Sequence, residues 1–337
     1  MEKYSAFRDR GSGIAPFFPI PTQPAGVALP FHVFLFVVRV TILLPFSLLY
    51  FLVLAWLPIG SLGKKAALWV MLGVPGIWWI DLAVDGVKKG SLGQNQHRLP
   101  HPGSVIASSH TSPIDALYLA AIFDPIFTQS FPNERKVLRI GLWQAMLNAL
   151  LQPALEPPKG AKLVDIAALL AHRPDRCIAI FPESTATNGR GILPFSPGLL
   201  TVPARTKIFP VSLRYTPADI TTPVPGAWFD FTWNLCSKPT HCIRVRIAEA
   251  VYNDAAEATS KEAPRRNSYE TNLLDDLHAR PLKPVQMEAN GSGYNSEAEK
   301  RVLDKIAEAL ARLGRVKRLG LGVEDKIKFV KVWSKRR

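Results

Sequence analysis

The chain has 337 residues, 47% of them hydrophobic and 20% charged, so it is long enough to bury a sizeable core. Its formal net charge of +14 favours a polyanionic partner, either a nucleic acid or an anionic membrane surface. The three cysteines are scattered, show no metal-ligand spacing and argue against a disulfide framework. No nucleic-acid-binding motif of the usual kinds is present, which leaves the membrane surface as the preferred partner.

The N-terminal part of the sequence contains a candidate membrane anchor. Residues 1–30 are rich in proline and glycine and are predicted to form a flexible lead. A long apolar run follows over residues 31–57, broken only by His32, Arg39 and Pro45. Runs of about 20 apolar residues match a bilayer-spanning helix. We therefore predict a membrane anchor here, with a buried core helix as the alternative.

A second apolar run covers residues 66–84, and Gly73, Pro75 and Asp81 weaken it as a single membrane span. The two runs together predict either a helical hairpin or two helices that enter only one leaflet of the bilayer. We therefore assign residues 31–90 to membrane-anchoring helices.

Residues 91–252 alternate short β-like runs with helix-like stretches, a pattern that is typical of an α/β domain. The candidate strands cover residues 105–108, 177–181, 207–214 and 242–251, and the candidate helices cover residues 113–122, 139–151 and 162–171. The predicted fold class is α/β, with a mixed sheet flanked by helices and preceded by the N-terminal hydrophobic helical anchor.

The C-terminal part combines a polar segment, an amphipathic helix and a basic tail. Residues 253–298 are polar and are predicted to be a linker or insert. Residues 299–337 begin with an amphipathic helix, which we expect to pack on the domain. The basic residues that follow are Arg315, Lys317, Arg318, Lys326, Lys328, Lys331, Lys335, Arg336 and Arg337. We predict that this tail contacts an anionic lipid surface, with a solvated tail as the alternative.

The stretch SHTSPID, residues 109–115, lies where a predicted strand hands over to a helix. Ser112 is suited to cap a helix that starts at Pro113, and Asp115 then completes an S-x-x-D capping pattern. At this turn Asp115 is also able to accept a hydrogen bond from the ring of His110, whose other nitrogen would act as a base. No G-x-S-x-G elbow is present, so we expect the nucleophile to belong to the substrate, as an alcohol does.

A second stretch, FPESTATNGRGILPF, covers residues 181–195 and follows the apolar strand that ends at residue 180. Its Asn-Gly turn makes a loop that is rich in backbone donors. Arg190 in this loop supplies a planar cation that is suited to phosphate.

Together the two stretches resemble the phospholipid/glycerol acyltransferase family, which pairs an N-H-x-x-x-x-D block with a later F-P-E-G-T-R block. The resemblance covers residues of about 100–215, and a similar membrane segment precedes it. Three positions depart from the family pattern. Ser109 replaces the usual asparagine, Ser184 replaces the glycine, and Ala186 stands where many members have a phosphate-binding arginine.

The resemblance implies transfer of a fatty acyl group from acyl-CoA to the free hydroxyl of lysophosphatidic acid, giving phosphatidic acid. His110 would take the hydroxyl proton, and Asp115 would orient His110. The implied substrate-binding residues are Glu183, Ser184, Thr185 and Arg190. Glu183 has a structural alternative as a carboxylate that caps the turn, and Arg190 is the candidate for the acceptor phosphate. No metal or cofactor is implied, because acyl-CoA serves as a co-substrate.

Other functions remain open on the sequence. The T-x-T-N-G-R loop is similar to the branch that includes lysophosphatidylcholine and lysophosphatidylethanolamine acyltransferases, which makes phospholipid remodelling the first alternative. Ser184 and Ala186 suit a catalytically inactive membrane adaptor, and a hydrolase is a third option. The family implies a location in the endoplasmic reticulum or on lipid droplets.

Overall fold

The computed structural model describes residues 2–57, 60–88, 90–255 and 297–335. Within these residues, a mixed sheet of eight strands flanked by α-helices forms the centre of the molecule, which confirms the predicted α/β class. The strands are β1 (Ile77–Val84), β2 (Val105–Ser108), β3 (Ile126–Phe131), β4 (Glu134–Ile140), β5 (Leu163–Val164), β6 (Ile178–Ile180), β7 (Gly191–Ile192), β8 (Ile208–Thr216), β9 (His241–Ile247) and β10 (Lys317–Arg318). The helices are α1 (Leu29–Leu49), α2 (Ser61–Gly73), α3 (Pro113–Phe123), α4 (Leu142–Asn148), α5 (Ile166–His172), α6 (Trp228–Ser237), α7 (Glu297–Gly314) and α8 (Val323–Ser334).

The strand order of the main sheet is β1-β9-β8-β2-β6-β3-β4-β5, and β7 pairs separately with β10. The central strands β8, β2, β6 and β3 are parallel to one another. Val105, Ile106 and Ala107 of β2 are completely buried, because helices cover both faces of the sheet at its centre. The carboxyl ends of β2 and β6 therefore lie side by side at one edge of the sheet.

The second apolar run differs from its prediction. It forms the end of α2 and then strand β1, which pairs in parallel with β9, so that Ile80 lies opposite Ile243. The turn between the two elements contains Gly76 at a φ of +89°. The predicted membrane helix over residues 66–84 is therefore wrong in its second half, because pairing with a strand that is distant in sequence places these residues in the sheet.

The hairpin of β3 and β4 was not predicted. The two strands pair antiparallel, with Phe127 opposite Ile140, and α4 starts only at Leu142. The helix predicted over residues 139–151 therefore begins late. The hairpin matters for the site because β3 lies next to β6.

Helix α1 carries the predicted anchor. Among the described residues, the segment Gly26–Leu54 is the one helix that is long and apolar enough to cross a membrane, by length and composition alone. Arg39 in its middle is buried against the α/β domain, where its guanidinium donates to the carbonyl oxygens of Cys236 (3.3 Å), Lys238 and Pro239 (2.7 Å). The charge in the apolar run therefore docks α1 onto the end of α6.

The N-terminal segment is packed rather than flexible over part of its length. Phe17 is completely buried, and Tyr4, Phe17 and Phe18 contact the ring of Phe329 in α8. This contact corrects the prediction of a flexible lead, because the aromatic side chains of the segment are covered by a helix from the other end of the chain.

The C-terminal elements return to the sheet. Val302, Ile306 and Leu310 of α7 are buried in the domain core, as the periodicity of the sequence predicted. Of the predicted polar linker, residues 256–296 lie outside the described residues, as do Arg336 and Arg337 of the basic tail.

The Arg39 docking site generates a prediction about Gly76. A Cβ atom at Gly76 would lie 2.6 Å from the Pro239 carbonyl oxygen and 2.9 Å from Nη2 of Arg39, at a positive φ. We expect Gly76→Ala to lower the free energy of unfolding by about 2 kcal/mol or more. The measurement is thermal unfolding in detergent.

Gly73→Ala is the matched control, because a Cβ atom at Gly73 meets nothing within 4 Å. A melting temperature of Gly76→Ala equal to that of the control would contradict the close approach of α1.

Candidate active site

The first motif forms the junction between β2 and α3. Ser112 caps the helix by accepting a hydrogen bond from the backbone N–H of Ile114 at 3.4 Å. The Oδ2 atom of Asp115 accepts in return from the backbone N–H groups of Ser112 (2.9 Å) and Thr111 (2.6 Å). The predicted capping pattern is confirmed, and it fixes the main chain immediately after His110.

Asp115 contacts the loop and not the histidine ring. Its Oδ1 accepts from the hydroxyl of Tyr215 in β8, and its other oxygen is occupied by Thr111 and Ser112. Within the part of the chain that the structure describes, none of the hydrogen bonds to Asp115 comes from the His110 ring. The expected ring contact is absent because a carboxylate at the third helical position points back at the capping amides. Burial raises the pKa of Asp115 to about 6, and these hydrogen bonds oppose that rise.

His110 is a buried imidazole that lines a small cavity. Its ring stacks on Phe181 with centroids 4.4 Å apart, and its Nε2 atom is buried without a hydrogen-bond partner among the described residues. The residue lines a cavity of about 30 Å³, together with Ser130, Asn148 and Ser184. Burial, and then the charge of Lys326, lower the pKa of His110 to about 3, so that the imidazole is neutral at physiological pH.

Glu183 joins the second motif to the first. Its Oε2 accepts from the backbone N–H of Leu193 at 3.1 Å, and its carboxylate also accepts from the backbone N–H of His110. The backbone N–H of Thr187 donates to the His110 carbonyl oxygen at 3.0 Å. Glu183 is 2% exposed, and this burial raises the pKa of its carboxyl. The two predicted motifs are therefore one hydrogen-bonded unit.

Ser184 explains one departure from the family pattern. Its φ is +56°, in the left-handed region that favours glycine, which is the residue of the family's block at this position. The Ser184 hydroxyl lies 3.0 Å from that of Ser130 in β3, and both line the small cavity beside His110. Ser184 thus adopts a backbone conformation that is strained for a residue with a side chain, and it gains a hydrogen bond with Ser130.

Lys326 is a site residue that the sequence analysis misplaced. It was assigned to the lipid-facing tail, but it is 1% exposed, and its Nζ donates to Thr185 Oγ1 at 2.9 Å and to the Ala186 carbonyl oxygen at 2.5 Å. Burial lowers the pKa of the ammonium group, while the charge of Glu183 opposes that shift. A cation from α8 therefore reaches the position where many family members carry an arginine.

A sequence signal for Lys326 existed. The buried positions of α8 are Val323, Lys326, Phe329 and Val330, which recur at helical spacing. A lysine in register with an apolar stripe points inward. The charge of Lys326 alone predicts a surface position, whereas its place on the helix face predicts burial.

Arg190 lies apart from the small cavity. It lines a second cavity together with Thr111 and Gly189, whereas His110, Asp115, Glu183, Ser184 and Thr185 are brought together around the junction. Within the described ranges, no group of three or more His, Cys, Asp or Glu side chains is placed to hold a metal ion.

The comparison with known families adds the decisive observation. The profile of the family described as Acyltransferase matches residues 93–214, which contain both motifs, strands β2 to β7 and most of β8. Residues 93–214 of this chain are an acyltransferase domain, as the resemblance of the two motifs implied. The chain is therefore an enzyme that moves acyl groups, and the junction of β2 with α3 is the candidate active site of this acyltransferase.

Two curated relatives resemble the acyltransferase. It is 25% identical over 341 residues to the "Putative lysophosphatidic acid:oleoyl-CoA acyltransferase" of Schizosaccharomyces pombe, covering 100% of this chain and 99% of the relative. It is 28% identical over 198 residues to the "Lysophosphatidic acid:oleoyl-CoA acyltransferase 1" of Saccharomyces cerevisiae, covering 58% of this chain and 61% of the relative.

The Lys326 contacts generate a prediction for activity. Lys326→Met removes both hydrogen bonds to the loop and the cation beside Glu183. Displacement of the loop should lower the rate of acyl transfer by roughly 10- to 100-fold. The measurement is the acyl-transfer rate of the purified variant, with thermal unfolding recorded to establish that it is folded.

Lys328→Met is the control on the same helix, because the Lys328 side chain is 66% exposed. Equal rates for the folded Lys326 and Lys328 variants would refute a positioning role for Lys326.

The neutral, buried His110 generates a prediction for stability against pH. Its folded pKa of about 3 lies below the unfolded value of about 6.5, so below pH 6.5 only the unfolded state takes up the proton. At pH 5 this linkage lowers the free energy of unfolding by about 2 kcal/mol relative to pH 7. His110→Gln removes this contribution and should show a shallower loss of stability between pH 7 and pH 5, measured by thermal unfolding.

The same experiment on His172→Gln, which replaces an exposed histidine of α5, should reproduce the wild-type pH dependence. A wild-type slope in His110→Gln would mean that the imidazole is not neutral in the folded protein.

Proposed function

We propose that this acyltransferase moves a fatty acyl group from acyl-CoA to the free hydroxyl of lysophosphatidic acid, giving phosphatidic acid. The observation that carries the proposal is the buried, neutral His110, which lines a small cavity and whose Nε2 has no hydrogen-bond partner among the described residues. A neutral imidazole accepts a proton without first losing one. The donor and acceptor are supported by the names of the two relatives, one of which matches over the whole chain.

The chemical step follows from the base. The acceptor oxygen attacks the thioester carbonyl while its proton passes to Nε2 of His110. The tetrahedral intermediate then collapses, the carbon–sulfur bond breaks, and the thiolate of coenzyme A takes the proton from His110. Backbone N–H groups of the neighbouring loops are expected to stabilise the oxyanion. No group on the enzyme is acylated in this step.

The other site residues act on the loops. Asp115 fixes the main chain that follows His110 through the N–H groups of Thr111 and Ser112. In this proposal Glu183, with Thr185 held by Lys326, keeps the second motif against the first. Ser184 lines the cavity beside the base, and Arg190 receives the acceptor phosphate.

We further infer that the enzyme works at a membrane surface. Helix α1 supplies the apolar segment, and Trp56, Trp78 and Trp79 are exposed, as expected of rings at the headgroup level. Exposed lysines of the tail, such as Lys328, would meet anionic lipid, whereas Lys326 would not. Location in the endoplasmic reticulum or on lipid droplets stays a prediction.

The test offers labelled oleoyl-CoA to purified enzyme-containing membranes with lysophosphatidic acid and lysophosphatidylcholine in parallel. We expect label in phosphatidic acid, and we expect none with His110→Ala, whereas the exposed control His172→Ala should match the wild type.

Each of the other outcomes identifies a different function. Preferential labelling of phosphatidylcholine would indicate a remodelling acyltransferase, and release of free fatty acid would indicate a hydrolase. Silence with both acceptors would favour the inactive adaptor. Normal turnover by folded His110→Ala would overturn the assignment of the base.

A further inference from the structure

A second and larger cavity also borders the junction, where Thr111 lines it. Its volume is about 310 Å³, and three of its walls carry arginines: Arg190 from the second motif, Arg214 from β8 and Arg244 from β9. The remaining lining residues are Ile20, Thr111, Asn188, Gly189, Leu213, Tyr215, Thr216, Ala218 and Thr221. We call this the arginine cavity.

The arginine cavity concentrates positive charge without an acidic partner. No aspartate or glutamate is among its described lining residues. Arg214 and Arg244 lie directly opposite each other in the β8–β9 pairing, where like charges repel. The Arg214 guanidinium donates to the carbonyl oxygen of Gly314 at 2.5 Å, and no hydrogen bond or ion pair of the Arg190 or Arg244 guanidinium occurs within the described residues.

Two neighbouring arginines, Arg246 and Arg312, are paired with acidic side chains. Arg246, two residues from Arg244 on β9, forms an ion pair with Asp81 at 2.7 Å, and Arg312 of α7 pairs with Asp85. Burial, and then the charges of Arg244 and Arg315, lower the pKa of Arg214. Arg246 and Arg312 are thus paired with acidic side chains, whereas the exposed arginines of the cavity have no acidic partner among the described residues, as in a site that an anion completes.

The cavity adjoins the candidate active site. Thr111 follows His110 in the chain and lines the cavity, and Tyr215 lines it while its hydroxyl donates to Asp115. Gly189 packs beside Thr111, since a Cβ atom at Gly189 would lie 3.4 Å from Thr111 Cγ2. A small anionic group in the cavity would therefore lie one residue along the chain from the base.

We propose that the arginine cavity binds the phosphate monoester of a substrate and selects it over a phosphodiester headgroup. Guanidinium groups match phosphate oxygens in pairs of hydrogen bonds, and a monoester carries nearly two negative charges. A choline phosphodiester carries one negative charge and one cation, which the three arginines repel. Arg190 alone was expected from the sequence; Arg214 and Arg244 are the additional specificity residues.

This inference rests on the proposed function for its choice of ligand. Two substrates carry a phosphate monoester, namely lysophosphatidic acid in its headgroup and acyl-CoA at its ribose 3′ position. The nearness of the cavity to Thr111 favours the acceptor, because the hydroxyl that attacks lies only a few bonds from its phosphate. Both sources share one chemistry, and the experiment separates them.

The test compares Arg244→Gln with the matched control Arg246→Gln, on the same strand but outside the cavity. The KM values for lysophosphatidic acid, oleoyl-CoA and oleoyl-dephospho-CoA are measured for each. We expect Arg244→Gln to raise the KM for lysophosphatidic acid by about tenfold or more, because it loses one charge-assisted hydrogen bond. The kcat and both donor KM values should stay near those of the wild type. Arg246→Gln should leave all the constants unchanged.

The other outcomes are equally definite. A rise in the KM for oleoyl-CoA that is absent with oleoyl-dephospho-CoA would support the phosphate site and assign it to the donor. Wild-type KM values for every substrate in folded Arg244→Gln and Arg190→Gln variants would overturn the proposal.

A separate measurement keeps this proposal distinct from the proposed function. If the wild type transfers nothing to lysophosphatidic acid, the proposed function fails, and binding of radiolabelled glycerol 3-phosphate to the purified protein then tests the cavity. Binding that Arg244→Gln weakens about tenfold, and Arg246→Gln does not, would support the site. Absence of binding, or equal binding to all three proteins, would overturn it.

Discussion

The arrangement of the site depends on the hydrogen bonds that the buried Glu183 carboxylate accepts. Glu183 accepts from the backbone N–H of His110 in one motif and from that of Leu193 in its own loop. An unpaired carboxylate in this position would be strongly unfavourable, because burial removes the water that stabilises its charge. The two hydrogen bonds and the charge of Lys326 oppose that penalty, and they do so only when both loops and α8 are in place. The two loops and α8 therefore have to assemble together around Glu183.

The central sheet brings the two loops within reach of each other. Strands β2 and β6 are adjacent and parallel, so the chain leaves both of them at the same edge. This edge is where open α/β sheets place their ligands. The first loop is rigid because Asp115 and Ser112 cap α3, and the second is rigid because Lys326 and the N-terminal segment hold it. The base proposed for acyl transfer would need a fixed support of this kind.

The role of each basic residue in this molecule depends on its burial and partners as well as on the net charge. The net charge of +14 suggests one diffuse basic surface, yet three of its contributors lie in three different settings. Arg39 docks α1 onto backbone carbonyl groups, Lys326 supports the second motif, and Arg244 lies beside Arg214 in the β8–β9 pair and lines a cavity. Only the first two have their donors satisfied by the protein itself. This difference between satisfied and unsatisfied cations is what separates a structural role from a binding role.

The sequence by itself determined the local features of the site. The cap of α3 depends on residues within one helical turn, so Ser112, Pro113 and Asp115 predicted the junction and the position of His110. The strands β2 and β6 followed from short apolar runs, and the order of the two motifs indicated the family. Local rules suffice where the deciding contacts are local.

Tertiary structure alone decided the features that depend on distant residues. The Oδ2 atom of Asp115 accepts from the local capping amides, but its Oδ1 atom accepts from the hydroxyl of Tyr215, 100 residues later in the chain. An apolar run that suits a membrane helix became β1, because β9 offered it a pairing edge. Lys326 is buried because Thr185, 141 residues earlier, accepts a hydrogen bond from its ammonium group. A one-dimensional pattern records which residues are apolar or charged, but the partner that satisfies each of them is known only once the chain has folded.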